Sequence, residues 1–265
     1  ANTVGAQLVN ALPGAGGLHA GQMLGQPMKA LLLLDVEPRF DAANPAAAAA
    51  ALAGSGLIVA LTSFKDAAVD NADVLLPIAP FTETSGTFVN AEGRAQSFSG
   101  VVKPAGDSRP AWKVLRVLGN LLGLPGFSQE TSEAVRAEAL GDLAGLGKRL
   151  DNASGASMVP SAPAPGLQRI ADVPIYAADA LVRRATSLQL TADARAPIVG
   201  LPSGLWRELG LANGARVQVS QGGAKAVLPA REDASLAANT VRVPAGHADT
   251  ATLGAMFGAV TVEKA

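Results

Sequence analysis

The chain has 265 residues, room for one large or two ordinary domains, and 49% of them are apolar while only 16% are charged. A formal net charge of −1, with Lys and Arg never running beyond pairs, leaves out the basic footprint of a nucleic-acid binder. With no cysteine and only His19 and His247, disulfides, thiolate zinc sites and iron–sulfur ligation within this chain are excluded, and a histidine-rich metal site is not expected.

In chain order, residues 3–12 read as a short helix with Thr3 as N-cap and Pro13-Gly14 ending it. Residues 29–34 read as a buried strand, followed by the polar turn Asp35-Val36-Glu37-Pro38. Residues 45–53 read as an Ala-rich helix, with Asn44 as N-cap and Pro45 at its first position. A second buried strand is expected over 57–61, a short helix over 65–69 and a third strand over 73–78. Apolar strands alternating with helices predict an α/β fold with a parallel sheet flanked by helices.

Helices are expected over 109–122, capped by Asp107 or Ser108 with Pro110 in the first turn, and over 130–146. In the first of these, Trp112, Leu115, Leu118 and Leu122 have the spacing of a buried face. Residues 151–170 read as a linker, richest in Ser, Pro, Ala and Gly up to Gly166. Beyond it, short strand candidates at 198–199, 216–220, 225–228, 240–243 and 259–263 alternate with turns, and one helix lies at 203–209. That pattern predicts a small C-terminal β-barrel-like domain. The expected organisation is thus 1–150 as the α/β domain, 151–170 as linker and 171–265 as the β-rich domain. No apolar run is long enough for a transmembrane helix, and no signal peptide is evident at the N-terminus.

The chemistry-bearing stretch is residues 83–94, ETSGTFVNAEGR, placed directly after a strand end. Ligands in open α/β sheets bind at the carboxyl ends of strands, and a Thr/Ser/Gly loop there offers hydroxyls and backbone N–H groups. Taken alone, the stretch reads first as a well-bonded surface loop. Asp35 and Glu37, at another strand end, are candidates for a ribose hydroxyl or two solvated turn carboxylates. Arg183-Arg184 suits an acidic partner or a solvated or internally paired face. His247 is a candidate ligand contact or a surface-turn histidine, and Trp112 and Trp206 are candidate core anchors. No Ser–His–Asp set or acid/base carboxylate pair follows from spacing.

Residues 71–96, NADVLLPIAPFTETSGTFVNAEGRAQ, resemble a motif of the molybdopterin oxidoreductase superfamily. Its members include formate dehydrogenases, nitrate reductases and the large iron–sulfur subunit (G type) of bacterial NADH:quinone oxidoreductase (complex I). Residues 173–191, VPIYAADALVRRATSLQLT, resemble the complex I subunit, and residues 209–219, LGLANGARVQV, resemble the superfamily's C-terminal barrel. The resemblance implies a non-catalytic scaffold portion of that subunit, supporting electron transfer from NADH to quinone by iron–sulfur clusters outside this chain. It implies no cofactor here and a vestigial pterin pocket with Thr84, Gly86, Thr87, Asn90, Gly93 and Arg94 as candidates. Other peripheral-arm subunits would be partners, on the cytoplasmic side of the inner membrane and without membrane insertion. A start at Ala1 fits a piece or a processed product. Two alternatives stay open: the cofactor-binding C-terminal half of a molybdopterin-dependent oxidoreductase such as a formate dehydrogenase, and a free-standing nucleotide-binding protein.

Overall fold

The computed structural model describes residues 2–66, 70–151, 153 and 165–265. In chain order the elements are α1 (Thr3–Leu8), α2 (Ala20–Met23), β1 (Leu31–Leu34), α3 (Pro38–Asp41), α4 (Pro45–Ala53), β2 (Ile58–Thr62), β3 (Val74–Pro77), β4 (Gly86–Val89), β5 (Ala95–Phe98), α5 (Ala111–Leu121), α6 (Ser132–Leu140), β6 (Gln168–Ile170), α7 (Ala180–Arg184), α8 (Thr186–Gln189), β7 (Val199–Leu201), α9 (Ser203–Glu208), β8 (Arg216–Gln221), β9 (Ala224–Glu232), β10 (Thr240–Arg242), β11 (Gly258–Ala259) and β12 (Thr261–Lys264). They divide into two compact units: Ala1–His19, Val59–Ala67 and Ala72–Val159 form one, and Ala20–Ile58, Ala68–Asn71 and Pro160–Ala265 the other. The fold is mixed α/β, with a parallel strand pair and a barrel-like sheet.

In the first unit, β2 and β3 pair in parallel, Val59 beside Val74 through Thr62 beside Pro77. Residues 83–94, read as a loop, instead hold most of an antiparallel hairpin: β4 pairs with β5, Gly86 opposite Phe98 and Val89 opposite Ala95. Val89 packs with Leu140 and Leu146 in a small core, against which Val4, Leu8 and Ala95 rest.

Asn2, not Thr3, sits at the N-cap of α1, and it makes no cap bond. Its Oδ1 accepts from the Val89 N–H at 2.7 Å instead, tying helix to hairpin. The helix at 109–122 starts later than expected. Arg109 is held extended because its carbonyl accepts from the Ala79 N–H at 2.9 Å, so Pro110 becomes the N-cap and neither Asp107 nor Ser108 caps. Leu122, placed on the buried face by spacing, lies past the helix end and is exposed. The helix expected over 130–146 breaks at Gly141, whose φ of 66° suits glycine, and continues as a 3-10 helix over Leu143–Arg149. Of the expected helix at 65–69, residues 67–69 lie outside the described residues, and 65–66 are not helical.

In the second unit, α4 has the expected bounds, and Asn44 Oδ1 accepts from the Ala47 N–H at 3.1 Å. The apolar run of β1 is buried on one face only. Leu31 and Leu33 point inward, whereas Leu32 and Leu34 are exposed.

The barrel-like sheet has seven strands in the order β11-β6-β10-β7-β9-β8-β12. Its two edge strands, β11 and β12, are separated in sequence by Val260 alone, which brings the edges together and nearly closes the sheet. Residues 168–170, inside the expected linker, supply strand β6. The interior holds Val199, Leu201, Val217, Val219, Val241, Val243 and Leu253, all fully buried, with Trp206 against them.

Among these apolar side chains lies Arg169, 2% exposed. No carboxylate meets it among the described residues. Its NH1 donates to Gln221 Oε1 at 2.9 Å and to the Ala255 carbonyl at 3.3 Å. Nε reaches the Val243 carbonyl at 3.3 Å and NH2 the Pro244 carbonyl at 3.4 Å. Burial lowers the pKa of this guanidinium from its ordinary value. Arg169→Met keeps the bulk but strips a donor from four carbonyls, those of Val243, Pro244, Gly254 and Ala255. It is expected to lower stability by about 1–3 kcal/mol, read from urea denaturation. A variant as stable as the parent would show that the carbonyl cage contributes nothing.

Candidate functional site

Three places bring polar side chains together; two of them are built on residues singled out by the sequence, and the third shares only His247 with that set. The first is the hairpin. Asn90 Oδ1 accepts from the Glu92 N–H at 3.0 Å and the Arg94 N–H at 2.9 Å, building the turn between β4 and β5. Gly93 completes it with a φ of 81°, and a Cβ there would lie 2.9 Å from the Gly147 Cα. Glu83 Oε2 accepts from the Ala105 N–H at 2.8 Å, and Thr87 Oγ1 and Ser97 Oγ are hydrogen-bonded at 3.0 Å across the strands. Thr84 Oγ1 donates to the neighbouring Ser85 carbonyl. Arg94 is exposed and lies 3.8 Å from Glu92, a screened contact.

Beside the hairpin is a largely apolar cavity of about 410 Å³. Of the candidate residues, Gly86 and Thr87 line it; Thr84, Asn90, Gly93 and Arg94 do not. Ser85 and Ser132 are hydrogen-bonded at 2.8 Å at its wall. Its guanidinium is Arg136, which donates to Ser97 Oγ at 2.6 Å. Trp112 also lines it, and its indole nitrogen is buried without a partner among the described residues.

The second place is the carboxyl end of β1. Neither Glu37 nor the Arg183-Arg184 pair is a solvated group. Glu37 is 3% exposed and Arg183 10%. Arg183 Nε donates to Glu37 Oε2 at 3.0 Å, while its NH2 makes ion-pair contact with the same oxygen at 2.8 Å without a hydrogen bond's angle. Arg184 NH2 reaches Glu37 Oε1 at 2.5 Å, so the carboxylate is gripped from both oxygens. Arg183 NH1 also meets Asp41 Oδ1 at 3.0 Å, and Asp41 Oδ2 accepts from the Glu37 N–H at 2.7 Å. The Phe40 ring lies 5.2 Å from the Arg183 guanidinium carbon. The position where a ligand would approach the strand end is thus filled by the protein's own ions.

Asp35, one step past β1, has a φ of 50°, an uncommon backbone for a residue other than glycine. Burial first, then the charges of Glu37, Asp41 and Asp179, pushes its carboxyl above the ordinary carboxylate value.

The third place sequence reasoning did not assemble. Asp172, Asp193, Arg195, Arg231, Arg242 and His247 line a cavity of about 340 Å³ beside the barrel. Arg242 is ion-paired with Asp233 at 2.8 Å. His247 Nε2 is buried with no partner among the described residues, and burial lowers its pKa against the opposing pull of Asp249 and Asp172. These groups come from segments far apart in sequence, so no spacing announces them.

A family profile described as molybdopterin oxidoreductase matches residues 1–121. Over 230 residues, 82% of the chain, the sequence is 32% identical to the G subunit of NADH-quinone oxidoreductase from Mycobacterium bovis and, equally, from Mycobacterium tuberculosis. Residues 1–121 thus belong to the molybdopterin oxidoreductase family. A putative formate dehydrogenase of Staphylococcus aureus is 42% identical over 62 residues, 23% of the chain and 6% of that protein. The chain spans 27% of the length of the mycobacterial subunits. Acetylene hydratase from Pelobacter acetylenicus shares the fold, with a TM-score of 0.63 over 89% of this chain and 44% of that one at 16% identity. Two of these three places fit a pterin nucleotide poorly. The β1 end is occupied by paired guanidiniums, and the larger cavity by the hairpin is mostly apolar with its one guanidinium turned to Ser97.

Two tests address the β1 end. Glu37→Ala leaves two largely buried guanidiniums without their shared anion and is expected to cost about 3–5 kcal/mol, read from the urea midpoint. A loss under about 1 kcal/mol would mean the pairs are screened like surface ones. Asp35 carries the opposite sign. Its folded-state pKa is raised, so its ionised form costs stability above that pKa, and the cost vanishes as pH falls below the unfolded value. Asp35→Asn, which tolerates the same backbone, is expected to raise the melting temperature at neutral pH, with the gain over the parent shrinking in acid. A gain independent of pH would count against the charge argument.

Proposed function

We propose that this chain is a non-catalytic scaffold portion of the G-type large subunit of an NADH-quinone oxidoreductase. It supports electron transfer from NADH to quinone by iron–sulfur clusters that lie outside this chain. Its place is peripheral, on the cytoplasmic side of the inner membrane and among other subunits of that arm. Among the described residues, no helix is long and apolar enough to cross a membrane.

The observation that carries this reading is the filled strand end, where Arg183 and Arg184 neutralise Glu37 and leave no open ligand position. Two sequence facts support it. The 265 residues contain no cysteine to bind a cluster, and the extended similarity runs to the mycobacterial G subunits, whereas the formate dehydrogenase match is short. Residues 173–191, which carry both arginines, are the segment whose resemblance is to the complex I subunit.

A second reading, the cofactor-binding half of a molybdopterin-dependent oxidoreductase, draws on the cavity of about 410 Å³ beside Gly86 and Thr87. Elemental analysis and pterin fluorescence of the purified protein separate the two. The scaffold reading expects neither molybdenum nor pterin above background. Stoichiometric amounts of both would overturn it in favour of the second.

A further inference from the structure

Helix α5 carries an apolar stripe, Val114, Val117, Leu118 and Leu121, at the three- and four-residue spacing of one helix face. A stripe of this kind ordinarily marks the face a helix buries. Here Gly119 is the buried residue of α5, while Val117 is 49% and Leu121 80% exposed. With Leu76 of β3 the stripe floors an open groove of about 550 Å³. The charged residues lining the groove are Arg109, Lys113 and Arg116, with no acidic side chain among them.

These cations are not all spent within the fold. Arg109 NH1 donates only to the Ser108 and Gly106 carbonyls, at 2.7 and 3.4 Å. Lys113 Nζ lies over the Trp112 ring, 5.3 Å from its centroid, and pairs with no carboxylate among the described residues. Arg116 does pair, with the exposed Glu130 at 2.7 Å, yet its Nε is buried and without a partner among the described residues.

We propose that this groove docks an acidic amphipathic helix of a partner subunit. The occupant would lay apolar residues at matching spacing along Val114, Val117, Leu118 and Leu121, and set Asp or Glu against Arg109 and Lys113. Helix-in-groove recognition uses this arrangement of anchors and flanking charge. A second copy of the chain would bring cations against cations, which electrostatic complementarity disfavours. A lipid surface suits a convex apolar ridge, whereas Leu76 and α5 form a concavity.

The proposal rests on the chain working within a multisubunit enzyme. The test is therefore made in the full-length assembly, with a photo-crosslinking amino acid in place of Leu121 and mass-spectrometric mapping of the product. Crosslinks to a segment of another subunit with Asp or Glu flanking an apolar helical stripe support the proposal. Lys113→Glu with Arg109→Glu should then weaken retention of that subunit about tenfold or more, and Val117→Asp with Leu121→Asp should do the same. Crosslinks to lipid, to a second copy or to a basic segment overturn it. So does an intact assembly with no crosslink, or retention unchanged by both double variants. A chain that purifies with no other subunit overturns the assembly reading instead, before the groove is tested.

Discussion

The Glu37 carboxylate, sunk between Arg183 and Arg184, is the constraint on which the second unit's α/β part depends. A carboxylate that is 3% exposed must be neutralised, and two guanidiniums from a segment roughly 150 residues later do it. Such a cluster adds little net stability over an apolar equivalent, because desolvating the ions offsets their attraction. Its weight lies in what it forbids. Any arrangement that withdraws the 173–191 segment leaves the buried Glu37 carboxylate without the two guanidiniums that neutralise it.

That segment has little else to hold it in shape. Helices α7 and α8 have five and four residues, far below the length at which a helix persists on its own in water. Polar side chains replace helix length. Asp179 Oδ1 accepts from the Val182 N–H at 2.9 Å, and Gln189 Nε2 reaches the Tyr176 and Val182 carbonyls at 2.9 and 2.7 Å. The barrel solves a buried guanidinium differently. Arg169 has carbonyls and an amide instead of an anion, so its charge stays uncompensated and its role is to satisfy backbone at the barrel's interior.

Much of this was legible in the sequence where local chemistry decides the outcome. Asn44-Pro45 set the start of α4, and the strand candidates at 216–220 and 225–228, parted by a turn, became β8 and β9. Where distant partners decide, the sequence was mute. Thr3 looked like the cap of α1, but the carboxamide next to it serves Val89, 87 residues on. Pro110 looked like a first-turn residue, but Arg109 is pinned to the strand-end backbone. Glu37 and Arg183 were each visible as charged residues with an open role. Nothing in their spacing said that they meet, because ion pairing across such a separation leaves no periodicity. Arg169 gave no signal at all within a segment read as linker.

The hairpin shows why a motif can name a superfamily without marking a site. Asn90, Gly93 and the Glu92–Arg94 backbone form the turn; Gly86 lies under Phe98, where a Cβ would come within 2.6 Å of the ring; Glu83 holds residue 105. Each of these demands would keep its residue in place with no ligand present. A functional reading therefore turns on the strand end at β1 instead, because there the fold has a choice. An open carboxylate could receive a sugar hydroxyl, whereas this chain closes the position with two arginines. The pairs are short, the oxygens are both engaged, and Asp41 fixes the backbone beneath. Opening it to a ligand would require giving up the anion that Arg183 and Arg184 share in largely buried surroundings, and that penalty is the physical basis for reading the region as support rather than as an active centre.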